Sequence, residues 1–461
     1  MTKKAPLFTL ALVLGFTLVG GARQPPPSPA TPPPPQQPTE IGATNSSGAI
    51  GAPPKYAVPD FIALSTDPQT EAAAKTIGQV LWDDLNFERE FYMIPRDTYQ
   101  TVPAAHSFED VPFDQWRELG TDALVIGTVE RTDGGNLRVQ VRLFNVKSHQ
   151  SVFAKEYTGP GANARFYAHT ISDEIFKQQS GLAGVARTKI AFASDRDEER
   201  MPGTVLDRTV KEIYISDYDG ANQRRVTVNR SLNIVPAWSP DAQSIAYTSY
   251  RRGVPEIFIS FIYKGTLEEA TKGPSQNFLP AWSPDGKHIA FMSDRDGHDN
   301  IYVMDADGSH VRQVTHGPGP SINASPTWSP SGTEIAFTSD RSGSPQIYVV
   351  GADGLGLRRI THETYCDRPT WSPPPYNEIA YASQTGPGFD IKILDLETGQ
   401  VRQVTFGEGS NQSPSFAPNG RHLAFTSTRT GHTEIFTIGR DGKGLRQITT
   451  KGSNYQPSWS H

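Results

Sequence analysis

The sequence predicts a multidomain α+β protein in which a small N-terminal α/β domain precedes a six-bladed β-propeller. A Pro-x-Trp-Ser-Pro element recurs through the second half of the chain, in units of about 44 residues that each contain four short strand-like segments. Before residue 185, helical and strand periodicities alternate, as in a small α/β domain. The predicted boundaries are 1–22 for a signal peptide, 23–54 for a Pro-rich disordered linker, 55–184 for the α/β domain and 185–461 for the propeller, closed by the C-terminal strand.

The first 54 residues indicate export rather than a folded domain. Lys3 and Lys4 precede an apolar run from Ala5 to Val19, and small residues follow up to Ala22, after which we predict cleavage of a secretory signal peptide. A transmembrane anchor is the less favoured alternative, because the run is shorter than the roughly 18 residues that a span needs. The mature protein is therefore predicted not to span a membrane. Residues 23–54 are rich in Pro, Ser, Thr and Gln, a composition that cannot bury enough apolar surface to fold.

Charge and cysteine content narrow the class of protein. The 461 residues carry a formal net charge of -6, so no basic field favours nucleic acid, and we expect no nucleic-acid partner. Cys366 is the only cysteine, which leaves no intramolecular disulfide and no lipid-bearing cysteine near the cleavage site. We therefore expect an exported fold that is held together by burial alone.

Residues 55–184 contain two helical patterns and two clear strand patterns. Apolar residues at helical spacing predict helices over 69–91 and 164–179, the second of which has Gly181 as its stop signal. Residues 123–129 are typical of a buried strand, and the alternation over 137–143 indicates a strand with one solvated face after a hairpin turn. His169 and Asp173 lie four positions apart on the second helix, and we interpret them as an intrahelical surface or boundary contact rather than a metal or acid–base pair.

Each of the six repeats is predicted to correspond to one four-stranded blade. The second strand has an Ile-Ala-Phe pattern, and the third strand alternates as Ile-x-Ile and in most units leads into an Asp-Gly hairpin. The first unit lacks a Pro-x-Trp element, whereas the last such element, at 456–460, has no second strand after it. The chain end is therefore predicted to supply the first strand of the first blade, which closes the ring and hides two sheet edges. We interpret the Trp residues of the first strands as packing between blades.

The best candidate binding site lies in the loops that enter the innermost strands. Three positions before each anchoring Pro, the chain has Asn in five units and Cys366 in the sixth. These side chains either cap the turn through bonds to the backbone or belong to loops that present polar groups to a partner at one mouth of the central channel, and the two interpretations are compatible. The predicted partner-binding residues are Asn233, Gln276, Asn277, Leu279, Asn323, Ala324, Ser325, Asp367, Arg368, Asn411, Gln412, Asn454 and Tyr455.

No catalytic, metal or cofactor site is predicted. The segment Asp305-x-Asp307-Gly308 is similar to the start of a calcium loop, but the downstream Glu is missing and a hairpin turn is favoured. The Gly-x-Ser-x-Gly motif of a serine nucleophile does not occur in the sequence. We therefore predict that the protein is not an enzyme and needs no cofactor.

The combination of motifs resembles the TolB family. The motifs are "LGTDALVIGTV" at 119–129, "AHTISDEIF" at 168–176 and "ISDYDGANQ" at 215–223, together with the six blades. The resemblance implies a non-enzymatic adaptor of the periplasmic Tol-Pal system, monomeric outside its complex, that supports outer-membrane integrity and cell division. It also implies binding of the peptidoglycan-associated lipoprotein Pal at the propeller mouth, and of TolA through the N-terminal region. The Pal-facing positions that it implies are chiefly Gln276, Asn277, Leu279, Ala324 and Ser325.

The sequence departs from the family pattern at two places, and two other functions are alternatives to the Tol-Pal assignment. Gln276 stands where the family commonly has His, and residues 23–54 replace the short segment that contacts TolA. One alternative is an exported peptidase-like propeller protein, which the blade type resembles but which lacks a nucleophile motif and a hydrolase-sized domain. The other alternative is a stand-alone propeller that binds glycans or peptides.

Overall fold

The computed structural model describes residues 39–40, 52–200, 209–317, 319 and 321–461. The predicted signal peptide and nearly all of the predicted linker lie outside these residues. The described chain forms two compact units, one that ends at Arg187 and one that runs from Thr188 to His461. Within the described part, no helix combines the length and the apolar character that crossing a membrane requires. The two units are a small α/β domain and a six-bladed β-propeller, which confirms the predicted fold class.

The first unit is a seven-stranded mixed sheet with helices on it. Its strands are β1 (Thr39–Glu40), β2 (Lys55–Ala57), β3 (Ile62–Ala63), β4 (Tyr92–Met93), β5 (Ala123–Arg131), β6 (Asn136–Asn145) and β7 (Gln150–Pro160). Its helices are α1 (Pro68–Glu88), α2 (Phe113–Glu118) and α3 (Ala164–Ser180), with short 3-10 turns at Arg96–Thr101, Asp133–Gly135 and Gly161–Asn163. The strands pair in the order β1-β7-β6-β5-β2-β4, and β3 pairs with β5. Helices α1 and α3 cover one face of the sheet, and Trp116 of α2 packs with residues of the other face.

Local signals in the sequence account for the ends of these elements. Asp67 precedes α1 and accepts a hydrogen bond from the backbone N–H of Thr70 at 3.1 Å, so it caps the helix. Helix α1 ends at Glu88, because Arg89 takes a left-handed conformation with φ of 59°. Gly181 ends α3 with φ of 76°, as the stop signal predicts. The turn at 133–135 joins the antiparallel strands β5 and β6, which confirms the predicted hairpin.

The prediction for His169 and Asp173 was wrong, because both side chains are buried and neither pairs with the other. His169 Nδ1 lies 2.8 Å from Asp84 Oδ2 of α1. The Asp173 carboxylate accepts hydrogen bonds from the backbone N–H of Ala186 at 2.8 Å and from Arg187 Nε at 3.0 Å. Burial raises the pKa of Asp173 to about 6, against the opposing effect of these bonds. His169 faces α1 and Asp173 faces the segment that follows α3, so residues four apart reach different partners.

The second unit consists of six four-stranded antiparallel sheets, numbered here as blades 1–6 in chain order. The innermost strands of blades 1–6 are Asn454–Trp459, Asn233–Trp238, Asn277–Trp282, Asn323–Trp328, Cys366–Trp371 and Asn411–Phe416. The second strands are Lys189–Ser194, Ser244–Ser249, His288–Ser293, Glu334–Ser339, Glu378–Gln384 and His422–Ser427. The third strands are Glu212–Asp217, Glu256–Phe261, Asn300–Asp305, Gln346–Gly351, Phe389–Asp395 and Glu434–Gly439. The outer strands are Arg224–Arg225, Thr266–Glu269, Arg312–Gln313, Arg358–Arg359, Val401–Gln403 and Arg446–Gln447.

The two ends of the second unit meet in blade 1. Strand Asn454–Trp459 pairs with Lys189–Ser194 and supplies the strand that is missing from the first repeat. Trp459 Nε1 donates to Thr188 Oγ1 at 2.7 Å, and the N–H of Ser460 donates to the Lys189 carbonyl at 2.8 Å. The innermost strands of successive blades adjoin in an unbroken cycle, so the ring is closed.

The Trp residues of the innermost strands pack between blades, as the repeats predict. Trp328 of blade 4 is 8% exposed and lies against Ala290, Ile301 and Val303 of blade 3. Its Nε1 also donates to the carbonyl of Ala281 at 3.1 Å. Trp238 and Trp371 lie in the same way against the preceding blade.

We expect Trp328→Ala to lower the free energy of unfolding by about 3–5 kcal/mol, because the substitution leaves a cavity between two rigid sheets. The matched control is Trp328→Phe, which should cost clearly less, since Phe416 holds the equivalent place in blade 6. Denaturant unfolding of both variants measures the two losses. Equal losses for the Ala and Phe variants would contradict this packing role.

Candidate functional site

The candidate site is the end of the ring at which six loops enter the innermost strands, and we call this end the mouth. In every blade the innermost strand begins at the predicted Asn or Cys position. All six of these side chains are buried, with exposed fractions of 0–1%. They therefore point into the blades, and the loops before them supply the surface of the mouth.

The buried Asn side chains form the hydrogen bonds expected of caps. In blade 3, Asn277 Nδ2 donates to the carbonyl of Ser275 at 3.1 Å and to Glu256 Oε2, at the start of the third strand of blade 2, at 2.8 Å. In blade 1, Asn454 Nδ2 donates to the carbonyl of Lys451 at 3.1 Å and to Glu434 Oε2 at 2.7 Å. The capping interpretation thus describes what these amides do, and it ties each loop to the neighbouring blade.

A Thr two residues beyond each outer strand completes the same network. Thr271 Oγ1 accepts from the backbone N–H of Ile257 at 2.9 Å and donates to the buried carboxylate of Glu256. The equivalent Thr residues of the other blades accept from the first part of their third strands in the same way. Each entry loop is therefore held by a carboxylate or amide side chain at the start of a third strand, by a Thr and, in five blades, by an Asn.

In four blades, an arginine that follows the second strand donates a hydrogen bond to the side-chain oxygen of the Asn. Arg295 Nη2 donates to Asn277 Oδ1 at 3.0 Å, and its Nε donates to Ser293 Oγ at 3.1 Å. Its guanidinium carbon lies 5.2 Å and 4.8 Å from the ring centroids of Phe291 and Tyr302. The arginines with equivalent bonds and stacking are Arg196, Arg341 and Arg429. Sequence reasoning missed these residues, although the recurring Ser-Asp-Arg after the Ile-Ala-Phe strands was a usable signal.

Blade 5 departs from this network. Cys366 stands in place of Asn, and Lys392 stands on the third strand where all five other blades stack an aromatic ring under an arginine. Lys392 Nζ, Tyr381 Oη and Ser383 Oγ all donate to the Glu363 carboxylate. Burial would raise the pKa of Glu363, but these hydrogen bonds and the Lys392 charge hold it below its usual value. Burial raises the pKa of the Cys366 thiol to about 11, so the sulfur is protonated at neutral pH.

The structure divides the predicted partner-binding residues into two groups. The buried group, with exposed fractions of 0–7%, consists of Asn233, Asn277, Leu279, Asn323, Ala324, Asn411 and Asn454. The half-exposed group consists of Gln276, Ser325, Asp367, Arg368, Gln412 and Tyr455.

Neighbouring side chains hold three members of the half-exposed group in place. Gln276 Nε2 donates to Asp294 Oδ2 at 3.1 Å, and Asp367 Oδ1 accepts from Thr338 Oγ1 at 2.9 Å. The Lys211 ammonium lies 3.5 Å from the ring centroid of Tyr455. These side chains are therefore oriented by contacts within the ring.

A bulge in every innermost strand also stiffens the mouth. Two residues after the Asn or Cys position, a residue other than Gly takes φ between 52° and 57°. Three of these residues donate their N–H to a Thr of the preceding blade, and the bond from Leu279 to Thr248 Oγ1 measures 3.1 Å. The bulged residues are Val235, Leu279, Ser325, Arg368, Ser413 and Gln456. The backbone around the centre of the ring is thus fixed across blades.

The acidic motif of blade 3 forms the predicted hairpin. Gly308 takes φ of 86°, and Asp307 Oδ1 accepts from the backbone N–H of Ser309 at 2.9 Å. The segment therefore turns between the third and outer strands. Among the residues that the structure describes, no group of three or more His, Cys, Asp or Glu side chains is arranged to hold a metal ion.

Comparison with known proteins agrees with this architecture. The TolB beta propeller domain family matches residues 176–461, and the TolB amino-terminal domain family matches residues 47–152. The crystal structure of TolB from Acinetobacter baumannii superposes with a TM-score of 0.73 and 26% sequence identity, over 92% of this chain and 99% of that one.

Curated sequences give the same family. The Tol-Pal system protein TolB of Desulfosudis oleivorans is 35% identical over 198 residues, which are 42% of each chain. That of Geobacter sulfurreducens is 36% identical over 207 residues, which are 45% of this chain and 43% of the relative. The matched segments thus span less than half the length of these curated relatives. Because the propeller family covers well over half of the residues, the chain belongs to the TolB family.

Proposed function

We propose that this chain is a non-enzymatic adaptor of the Tol-Pal system that lies in the periplasm and binds the peptidoglycan-associated lipoprotein Pal. In this role it supports outer-membrane integrity and cell division. Membership of the TolB family supports the assignment to the Tol-Pal system, since the curated relatives carry that name. The signal-peptide pattern of the first 22 residues supports export.

The observation that carries the proposal is that the backbone of the mouth is held rigid while its half-exposed side chains differ from blade to blade. Buried amides, Thr hydroxyls and bonds between blades fix the backbone of the entry loops, for example at Asn277 and Leu279. The half-exposed side chains on this backbone differ from blade to blade. A rigid surface with distinct side chains loses little conformational entropy when it binds another protein, and this favours recognition over chemistry.

We assign the partner contacts to the half-exposed residues of the mouth. Arg368 and Asp367 offer opposite charges 3.9 Å apart, each 18% exposed, while Gln412 and Gln276 offer amides. The buried residues of the predicted set act by shaping the loops. A contact with TolA through the N-terminal region stays a prediction from the family resemblance, because the structure describes little of residues 23–54.

The experiment is a calorimetric titration of the purified mature chain with the soluble domain of Pal from the same bacterium. We expect saturable binding of one Pal domain per chain, and a loss of affinity of at least fivefold for Arg368→Ala. Lys287→Ala is the matched control, since Lys287 is an exposed cation in the loop between the first and second strands, at the opposite end of blade 3. Absence of binding by the unmodified chain would contradict the proposal.

A further inference from the structure

One loop of the mouth carries a large, exposed aromatic side chain. Phe406 is 72% exposed and lies in the loop that enters the innermost strand of blade 6, directly after the blade 5 residue Thr405. The residues that directly follow the equivalent Thr in the other blades are Val228, Lys272, His316, His362 and Thr450. A phenyl ring at this place therefore occurs in one blade only, and the repeat pattern does not require it.

The backbone on both sides of Phe406 is fixed by one buried carboxylate. Asp390 is 1% exposed and accepts hydrogen bonds from Thr405 Oγ1 at 2.8 Å and from the N–H of Gly407 at 2.9 Å. It also accepts from Asn411 Nδ2 at 3.1 Å. Three of the other blades have Glu at the place of Asp390. The exposed ring thus stands on an anchored backbone.

The second half of the loop is anchored to blade 6. The N–H of Ser410 donates to Thr428 Oγ1 at 2.8 Å. A Cβ on Gly409 would lie 2.6 Å from the backbone nitrogen of Arg429, so the chain packs too closely there for any larger residue. Glu408 is 73% exposed and its carboxylate lies 3.2 Å from Arg429 Nη1. The loop therefore carries an exposed phenyl ring and, two residues later, an exposed carboxylate on a backbone that these contacts hold.

An anchored and exposed aromatic ring has the properties of a binding hot spot. Aromatic side chains dominate the energetics of protein interfaces when they enter a desolvated pocket, and preorganisation reduces the entropy lost on association. The adjacent carboxylate adds a charge at the rim of such a contact, where it favours a basic group on the partner.

We propose that Phe406 is the apolar anchor of the partner site, where it inserts into an apolar pocket of the bound protein while Glu408 lies beside a basic side chain at the rim of that pocket. This inference rests on the proposed function, because it assigns the pocket to the lipoprotein domain that binds the mouth. The loop between blades 5 and 6 then supplies the apolar part of the interface, and the polar residues of the other loops surround it.

The test compares two substitutions of equally exposed apolar residues in the same titration with the Pal domain. Phe406→Ala should raise the Kd at least tenfold, and Phe406→Leu should raise it less. The matched control is Leu355→Ala, because Leu355 is 71% exposed but lies in the hairpin between the third and outer strands, at the opposite end of blade 4. It should stay within twofold of the unmodified chain. Since both side chains are exposed, we expect unchanged melting temperatures.

The outcomes separate this inference from the proposed function. Binding by the unmodified chain together with equal affinity of Phe406→Ala overturns the anchor and leaves the adaptor function standing. Equal weakening by Phe406→Ala and Leu355→Ala also overturns the anchor, because it shows no preference for the mouth. Absence of binding by the unmodified chain overturns both proposals.

Discussion

Removal of residues 454–461 is expected to abolish the folded propeller. The deletion takes away the innermost strand of blade 1, including its pairs Asn454↔Ser194 and Trp459↔Ile190. It also removes Trp459 from its buried place and exposes the edge of the blade 1 sheet at Lys189–Ser194, which favours aggregation. Because the ring closes only through this strand, the loss is not confined to one blade.

Differential scanning calorimetry of the truncated chain measures this effect. We expect the main cooperative transition of the unmodified protein to disappear, or the protein to be recovered as aggregate. Deletion of His461 alone is the control, because this residue lies beyond the strand and its removal should leave the transition in place. A truncated chain that melts within a few degrees of the unmodified protein would show that the terminal strand is dispensable.

Replacement of Glu256 by Ala is expected to lower the free energy of unfolding, whereas replacement by Gln is expected to preserve it. Glu256 is 2% exposed and accepts from Asn277 Nδ2 and from Thr271 Oγ1. Glu256→Ala leaves both donors buried without their acceptor, so we expect the free energy of unfolding to fall by about 3 kcal/mol. Glu256→Gln keeps an acceptor oxygen, as Asn300 does when it accepts from Thr315 and Asn323 in the next network.

The pH dependence of the Gln variant tests the same network. Burial raises the pKa of Glu256 above its usual value, although the bonds from Thr271 and Asn277 oppose this shift. A carboxyl group with a raised folded pKa stabilises the fold below its unfolded pKa of about 4.3, and this contribution is lost as pH rises through the folded value. The variant should therefore be at least as stable as the unmodified chain at pH 7, and any advantage should shrink toward pH 4.

Denaturant unfolding at several pH values gives the required free energies. The comparison of Glu256→Ala with Glu256→Gln at one pH separates the loss of the acceptor from the loss of charge. If the Gln variant were as unstable as the Ala variant at pH 7, the charge of Glu256 and not its acceptor oxygens would hold the loop.

The repeats made most of the propeller predictable from the sequence. Apolar residues alternate with a period of two in the strands, Asp-Gly pairs mark the turns, and the whole pattern repeats about every 44 residues. Contacts between the blades agree with these signals in every unit. The origin of the first strand of blade 1 also followed from the register of the repeats. The first repeat lacks this strand and the chain ends on an extra one, so in a closed ring the two must pair. The helices of the first unit followed from their apolar stripes and end signals, such as Gly181.

The errors and omissions arose where a side chain's partner lies far away in the sequence. His169 and Asp173 have the spacing of an intrahelical pair, but the spacing does not reveal their partners on α1 and in the segment after α3. The Asn positions were found from the repeats, whereas their burial depends on carboxylates and guanidiniums of other strands. Phe406 was missed because comparing the repeats reveals residues that recur, and no other blade has a phenyl ring at this place. The residue that anchors its loop, Asp390, also belongs to another strand.

Hydrogen–deuterium exchange of the mature chain, with and without the Pal domain, tests most directly whether the mouth is the binding surface. The account predicts slower exchange in the loops that enter the innermost strands, strongest around residues 405–411 and 365–368, and unchanged exchange in the Asp-Gly hairpins at the opposite end of the blades. Protection confined to those hairpins, or no protection of the entry loops in a saturated complex, would contradict it.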